Sequence, residues 1–371
     1  MNRNILILGG TGAIGSYLTE IISREDHVFI TSRKEHHSDN PHITYIQINA
    51  KDKNSIIKIL NSKIVEDRFD AIIDFMVYSL EELEERVDLL LGATNQYFFI
   101  SSARVYSDME TPIKEDSPRL LDVSKDEKYL STNEYALIKA KQENIFYEKI
   151  QRGVVNWTIV RPSLTYGDQR LQLGVLEKEN WLYRCLKGRP IVFSEDLMEH
   201  YYSFCSGEDV AKGIASLIGR EEALGTSFNI VQSKSYQWKD ILKLYLDSIE
   251  EYYGYRPDVF MTKTSTNLLF ESRKYQVIYA RYYDRFFDNS KIAKFVNVED
   301  FLPVEIGLKD SLKKCLQKPK FNNIPWDLEA VNDRLSKSWT PLNEIKGVKQ
   351  KITYLIFRLN FGWIIRMVPR L

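Results

Sequence analysis

The sequence predicts an α/β fold, a doubly wound parallel sheet with a smaller C-terminal lobe. Short apolar runs alternate with longer helix-patterned stretches through the first half of the chain. Four glycines fall within residues 9–15, directly after the first run, and the rhythm breaks after residue 167. With 371 residues the chain exceeds the size at which one hydrophobic core usually stops growing, so a large domain with a lobe, or two domains, is expected. Apolar residues make up 44% and charged residues 27%, as in ordinary soluble globular proteins. Lys plus Arg and Asp plus Glu balance at 51 each, which gives no push toward nucleic acid. Cys185, Cys205 and Cys315 lie far apart without metal-ligand spacing and fit buried thiols in a reducing compartment. Only four apolar residues precede the glycines, too few for a signal-peptide core, so the expected location is cytoplasmic.

The strands are expected at residues 5–8, 27–31, 43–48, 71–75, 97–101 and 157–161, each short and β-branched or aromatic. Polar–apolar stretches between them imply βαβ units and a parallel sheet covered on both faces. A helix-like stretch follows around 181–186, a second helical pattern (GEDVAKGIASLI) at 207–218, and one more strand at 228–231. Residues 232–320 are rich in Tyr, Phe and Lys, which suggests the smaller lobe. The expected organisation is 1–167 with 203–231 returning to it, a lobe from 168–202 and 232–325, and a tail from 326–371.

The stretch LILGGTGAIGS, residues 6–16, reads as Gly10-x-Gly12-x-x-Gly15 or as Gly9-x-x-Gly12-x-x-Gly15. Either spacing alone also occurs in ordinary loops. Here a buried-strand pattern precedes it, and SYLTEII, residues 16–22, reads as a helix opening directly after Gly15. Strand, glycine turn and helix together form a phosphate cradle of the Rossmann type. Glycine permits the tight turn and close backbone approach, and the helix N-terminus offers free N–H groups and a positive dipole end.

An NAD site carries Asp or Glu about 20 residues further on, whereas an NADP site uses Arg there. The second strand ends Thr31-Ser32-Arg33-Lys34, with no carboxylate. Arg33 can stack on adenine and pair with a 2′-phosphate, so NADP(H) is preferred and NAD(H) remains an alternative. Asn49 can hydrogen-bond the adenine edge or simply form a turn.

Further on stand ISSARVYSD, residues 100–108, and NEYALIKAK, residues 133–141. Tyr135 and Lys139 are spaced i, i+4 and share one face of a helix. A phenol normally titrates near 10, and an adjacent ammonium favours its phenolate, which makes Tyr a usable general acid or base. A Ser hydroxyl can hold the substrate oxygen in line.

These motifs, GGTGAIG at 9–15, SSARVY at 101–106, YALIK at 135–139 and RPSLTYG at 161–167, resemble the extended short-chain dehydrogenase/reductase family of nucleotide-sugar enzymes. The resemblance runs in order over residues 1–320, continuing through EDVA at 208–211, FNI at 228–230 and DNSK at 288–291. It implies Ser102 as the catalytic Ser, Tyr135 as proton donor or acceptor, and Lys139 on the nicotinamide ribose. It implies cofactor contacts from Gly9, Thr11, Gly12, Ala13, Ile14 and Gly15, from Ser32, Arg33, Asn49 and Ala50, and from Phe75, Met76, Val77 and Pro162.

Departures from the family pattern narrow the chemistry. Dehydratases of this family carry Asp-Glu after the catalytic residue, and decarboxylases carry Glu in that second place. Here those positions are Ala103 and Arg104. Epimerases and ketoreductases need only the Ser/Tyr/Lys set. The family's diphosphate-binding Arg falls on Tyr202, so Arg281 and Arg285 are candidates to supply the charge. Ser102, Arg104, Tyr166, Tyr202, Arg281 and Arg285 form the expected substrate set. The short segment between strands four and five, and the ending YDRFFDNSK, are similar to the epimerase-like chloroplast RNA-binding branch, so the fold need not imply catalysis.

The reading is an NADP(H)-dependent reductase acting on the 4-keto carbon of a nucleotide-linked sugar, expected as a homodimer. The alternatives are a sugar epimerase with tightly bound NAD(P), or a non-catalytic dinucleotide or RNA binder. The family resemblance ends after Pro325. Residues 345–371 hold six Lys/Arg and no carboxylate, with Ile352, Leu355, Ile356, Leu359, Trp363, Ile364 and Met367 near helical spacing. That composition suits an interfacial membrane helix or a helix docked on the body or on a second subunit.

Overall fold

The computed structural model describes residues 3–361 apart from 63, 66, 169 and 269–272. Two compact units emerge: Met1–Gly167 with Ser203–Ser235 and Arg285–Val304, and Asp168–Tyr202 with Tyr236–Asp284 and Glu305–Leu371.

The first unit runs β1 (Asn4–Leu8), α1 (Gly15–Ile22), β2 (His27–Ser32), β3 (Ile43–Gln47), α2 (Lys53–Leu60), β4 (Ala71–Asp74), α3 (Leu80–Gly92) and β5 (Tyr97–Ile100). It continues through α4 (Tyr135–Ile150), β6 (Trp157–Pro162), α5 (Gly207–Leu217) and β7 (Thr226–Ile230). The seven strands lie in the order β7-β6-β5-β4-β1-β2-β3, and every neighbouring pair is parallel. Side chains alternate across this sheet as the pleat requires. Ile5 and Ile7 pack on one face with Leu18 and Ile22 of α1 and Val210, Ile214 and Leu217 of α5. Leu6 and Leu8 pack on the other with Ile56 and Ile59 of α2, Leu83, Val87 and Leu90 of α3, and Phe146 of α4. Both faces are therefore dry, which explains strands without polar alternation.

The chain moves outward from β1 to β2 and β3, then returns to β4 on the opposite side of β1. This reversal opens a crevice at the strands' carboxyl ends, where open α/β sheets take their ligands. The glycine loop after β1 sits there.

Residues 285–304 group with the first unit, not with the lobe to which the sequence assigned them. Ile292 and Phe301 are buried in its core, and Lys291 Nζ donates to Thr226 Oγ1 and to the Ser227 carbonyl.

In the second unit, strands Ile191–Ser194 and Val259–Thr262 pair in parallel. Trp181 of helix Lys178–Leu186 stacks on Tyr245 of helix Trp238–Tyr253, ring centroids 4.6 Å apart. The described part of the expected tail is integral to this unit. Arg184, fully buried, pairs with Glu329 at 2.8 Å and Asp333 at 2.9 Å on helix Trp326–Leu335. Helix Val348–Arg358 then docks through Tyr354, whose hydroxyl donates to Asp333 at 2.7 Å.

Glycine 15 is where the fold tolerates no side chain. A Cβ there would sit 2.4 Å from the Gly10 carbonyl oxygen, against backbone that cannot swing away. Gly15→Ala should lower stability by about 1–3 kcal/mol in urea titration, the range for overpacking. Gly12→Ala meets nothing within 4 Å and should leave the urea midpoint unchanged.

Candidate active site

Three of the loop glycines answer to the protein itself. Gly9 has φ +72° and a Cβ there would strike Met76 Sδ at 2.7 Å; its N–H donates to Thr31 Oγ1 at 2.9 Å. Gly10 faces the Ile7 and Ile30 side chains, and Gly15 the Gly10 backbone. Gly12 is different: it is exposed and its missing Cβ would meet open space. Packing does not call for glycine there, whereas a pyrophosphate approaching the backbone does. Helix α1 starts with no side-chain cap and no acidic residue in its first turn, so its own sequence leaves its positive end unneutralised. The Ala13 carbonyl lies where a Cβ on Gly207 would come within 2.3 Å, so the start of α5 backs the loop. Thr11 is exposed, and Ala13 and Ile14 are half-buried. The residues present fit a dinucleotide.

At the end of β2, Ser32 is half-buried and Arg33 exposed, with the Arg33 carbonyl accepting from Gln47 Nε2 at 3.4 Å. Asn49 Oδ1 accepts from the Lys51 amide at 3.2 Å, the turn geometry that was the alternative to an adenine contact. Ala50 beside it is buried. After β4, Phe75 and Met76 are half-buried and Val77 is exposed.

Ser102 stands between β5 and the short turn Ala103–Val105, its Oγ accepting from the Arg104 amide at 3.2 Å. Tyr135 opens α4 and keeps 38% of its surface exposed. Lys139 is buried one turn on, its Nζ donating to the Ile100 carbonyl at 2.8 Å and standing 6.0 Å from the Tyr135 ring centroid. That hydrogen bond ties the Tyr/Lys helix to the last residue of β5, two positions before Ser102. Burial lowers the Lys139 pKa to about 8, and the negative charges of Asp74 and Glu143 oppose that drop. The Arg104 guanidinium lies 5.3 Å from the Tyr135 ring centroid and pairs with Glu134, whose carboxylate caps α4 by accepting from the Ala136 amide.

Below this surface lies a network that the sequence reading missed. Glu143, with no exposed surface, accepts from Ser101 Oγ at 2.6 Å, from Arg161 Nε and Nη2 at 2.8 Å each, and from Arg119 Nη1 at 3.2 Å. Its spacing was the available signal: residues 135, 139 and 143 continue one i, i+4 stripe. Pro162, next to Arg161, is buried at the end of β6.

The expected substrate residues separate. In the first unit Tyr166 is buried on a short strand paired with residues 204–206. Arg285 is buried there too, donating to the carbonyls of Tyr106 and Ser107 at 3.0 Å each; it braces that loop rather than offering charge to a ligand. In the second unit Arg281 lies 4.5 Å over the ring of Tyr202 and donates to the Gly174 carbonyl. The structure thus brings two of the expected residues, Arg281 and Tyr202, together, with Arg281 buried.

Asp74, at the end of β4, was also missed. It is buried, accepts from the Met76 amide and the Tyr97 hydroxyl at 2.9 and 2.8 Å, and burial pushes its pKa from 3.8 up to about 6. A folded pKa above the unfolded one means that this group's contribution is fully present below pH 3.8 and lost as pH rises through about 6. Asp74→Asn should therefore raise the urea midpoint above pH 6 and change it little in acid. Equal effects at both pH values would exclude the buried charge as the cause.

A family model described as the NAD dependent epimerase/dehydratase family matches residues 5–230. The chloroplast stem-loop binding protein of 41 kDa b from Arabidopsis thaliana is 26% identical over 255 residues, 65% of this chain and 62% of that protein. A UDP-N-acetyl-alpha-D-glucosaminuronate decarboxylase from Bacillus cytotoxicus is 28% identical over 184 residues, 45% of this chain and 56% of its own. The chain thus spans about three-fifths of the length of these curated relatives. Among solved structures, the UDP-glucuronic acid 4-epimerase from Bacillus cereus, in complex with UDP-glucuronic acid and NAD, superposes with a TM-score of 0.61. That match covers 85% of this chain and 99% of the epimerase at 15% identity, a likeness of fold. The family match spans more than half the chain and contains the glycine loop, Ser102, Tyr135 and Lys139: this protein belongs to the NAD dependent epimerase/dehydratase family.

Proposed function

We propose that this protein is an NADP(H)-dependent enzyme acting on a nucleotide-linked sugar, most readily by reducing a 4-keto group. The observation that carries the reading is Lys139, buried beneath Tyr135 and bonded to the strand end that bears Ser102. Bound NADP(H) supplies hydride chemistry at the sugar carbon. Ser102 holds the substrate oxygen, and Tyr135 donates its proton to that oxygen as the carbon becomes an alcohol. Lys139 and Arg104 both present positive charge to the Tyr135 ring, which stabilises the phenolate left behind. Glu134, the carboxylate closest in sequence to Tyr135, is held by Arg104 and caps α4, so it is not a base for dehydration. Arg281 on Tyr202 supports recognition of the substrate's diphosphate. Epimerisation would use the same groups to oxidise and re-reduce one carbon. The chain is expected to work as a homodimer, which sedimentation velocity checks.

The longer of the two curated matches is to a stem-loop binding protein, which supports a second reading as an RNA binder. An electrophoretic shift of stem-loop RNA, joined to absence of turnover over a panel of nucleotide-sugars, would favour it.

Arg33 and the absence of a carboxylate at 31–34 predict tighter binding of NADPH than of NADH in calorimetry, with Arg33→Ala narrowing the gap. Equal affinities in the intact protein would defeat the NADP reading.

Tyr135→Phe keeps the ring and removes the transferable proton, so turnover should vanish while cofactor affinity stays within a few-fold. Lys139 is charged below a pKa of about 8 and neutral above it. The rate should fall as pH rises through about 8, and a flat profile there would remove Lys139 from the role.

A further inference from the structure

We propose that helix Val348–Arg358 presents a docking surface for an anionic lipid bilayer. Among the described residues the helix meets its unit through the face that carries Tyr354, Leu355 and Phe357. Tyr354 is buried with its hydroxyl on Asp333, Arg334 donates to the Phe357 carbonyl, and Arg358 donates to the Ser338 carbonyl. On the opposite side Val348, Ile352 and Leu359 are 73%, 51% and 54% exposed. They fall at i, i+4 and i+11, an apolar stripe left largely exposed among the described residues, beside Leu355, which packs inward on the Trp326, Ala330, Ile345 and Tyr354 cluster. Phe361 and Trp339, 47% and 48% exposed, extend the apolar character of the region.

Charge selects the partner. Lys346 and Lys349 are exposed and Lys351 half-exposed around the stripe, and residues 345–371 carry no carboxylate. The neighbouring acids turn inward: Glu344 to Arg189 and Tyr183, Asp333 to Arg184, Thr340 and Tyr354. A second copy would bring lysines against lysines, which opposes self-association through this face. A nucleic-acid backbone would satisfy the lysines and leave the aliphatic stripe in water. Only an anionic bilayer takes both, the stripe entering the headgroup boundary and the lysines meeting lipid phosphates. No helix among the described residues is long and apolar enough to cross a membrane, so the contact is interfacial.

Co-sedimentation of the full chain with vesicles of phosphatidylcholine alone, and of phosphatidylcholine with phosphatidylglycerol, tests this. The protein should sediment with the anionic vesicles only, and high salt should release it. Ile352→Gln with Leu359→Gln should abolish binding without lowering the melting temperature, since both side chains are mostly exposed. Replacing Lys346, Lys349 and Lys351 by Gln should weaken binding on the order of 100-fold. Absence of sedimentation at low salt, equal binding to neutral vesicles, or unchanged binding in both variants would overturn the proposal. So would a loss of dimer in the Gln variants without lipid binding by the intact protein, which would assign the face to a second copy.

Discussion

Two nitrogens of Arg161 close on the two oxygens of Glu143 at 2.8 Å each, with both side chains out of water. A carboxylate so buried is tolerable only while its lone pairs are filled, and removing one partner of such a pair typically costs about 3–5 kcal/mol. Here Ser101 and Arg119 fill the remaining sites, and Arg161 reaches on to the hydroxyls of Tyr106 and Tyr147. Tyr106 in turn donates to Asn229 at 2.9 Å. The pair therefore fastens α4 to β6, to the segment after β5 and to β7. Ser102 follows Ser101 directly, and Tyr135 and Lys139 stand two and one turns before Glu143. These three candidate residues owe their mutual placement to a charge pair that none of them touches through its own hydroxyl or ammonium.

Much of the fold was legible because a sheet covered on both faces leaves a simple record. Strands such as Ile5–Leu8 are apolar at every position, and only a parallel sheet with helices on both sides has room for that. The glycine loop was legible for the same reason: its neighbours fix what each glycine is for. Legibility ended where a residue's partner is distant in sequence. Nothing local in DNSK reveals that Lys291 reaches Thr226, so residues 285–304 were assigned to the wrong unit. Asp74 looks like any strand-end acid until Tyr97 and Met76 enclose it.

The arginines show the same limit from the other side. Arg281 and Arg285 are four positions apart and were indistinguishable as candidates for substrate charge. Main-chain carbonyls of Tyr106 and Ser107 claim Arg285, whereas the Gly174 carbonyl and the Tyr202 ring hold Arg281. Sequence supplies the charge; only the fold decides which carbonyls and rings engage it.

The tail was ambiguous because one periodicity served two faces. Apolar residues at 348, 352, 355 and 359 and the aromatic at 354 all fit a helix, and the pattern alone cannot say which side is inside. Tyr354 decides it through a polar atom, since its hydroxyl is needed by Asp333, already paired with buried Arg184. An aliphatic residue turned inward there would leave that oxygen to Thr340 Oγ1 and take the acceptor from the buried Thr340 amide, a penalty of about 1–3 kcal/mol. The helix accordingly buries Tyr354, with Leu355 and Phe357 packed beside it, and leaves Val348, Ile352 and Leu359 outward. The proposed bilayer contact rests on these three outward side chains with Lys346 and Lys349 exposed beside them.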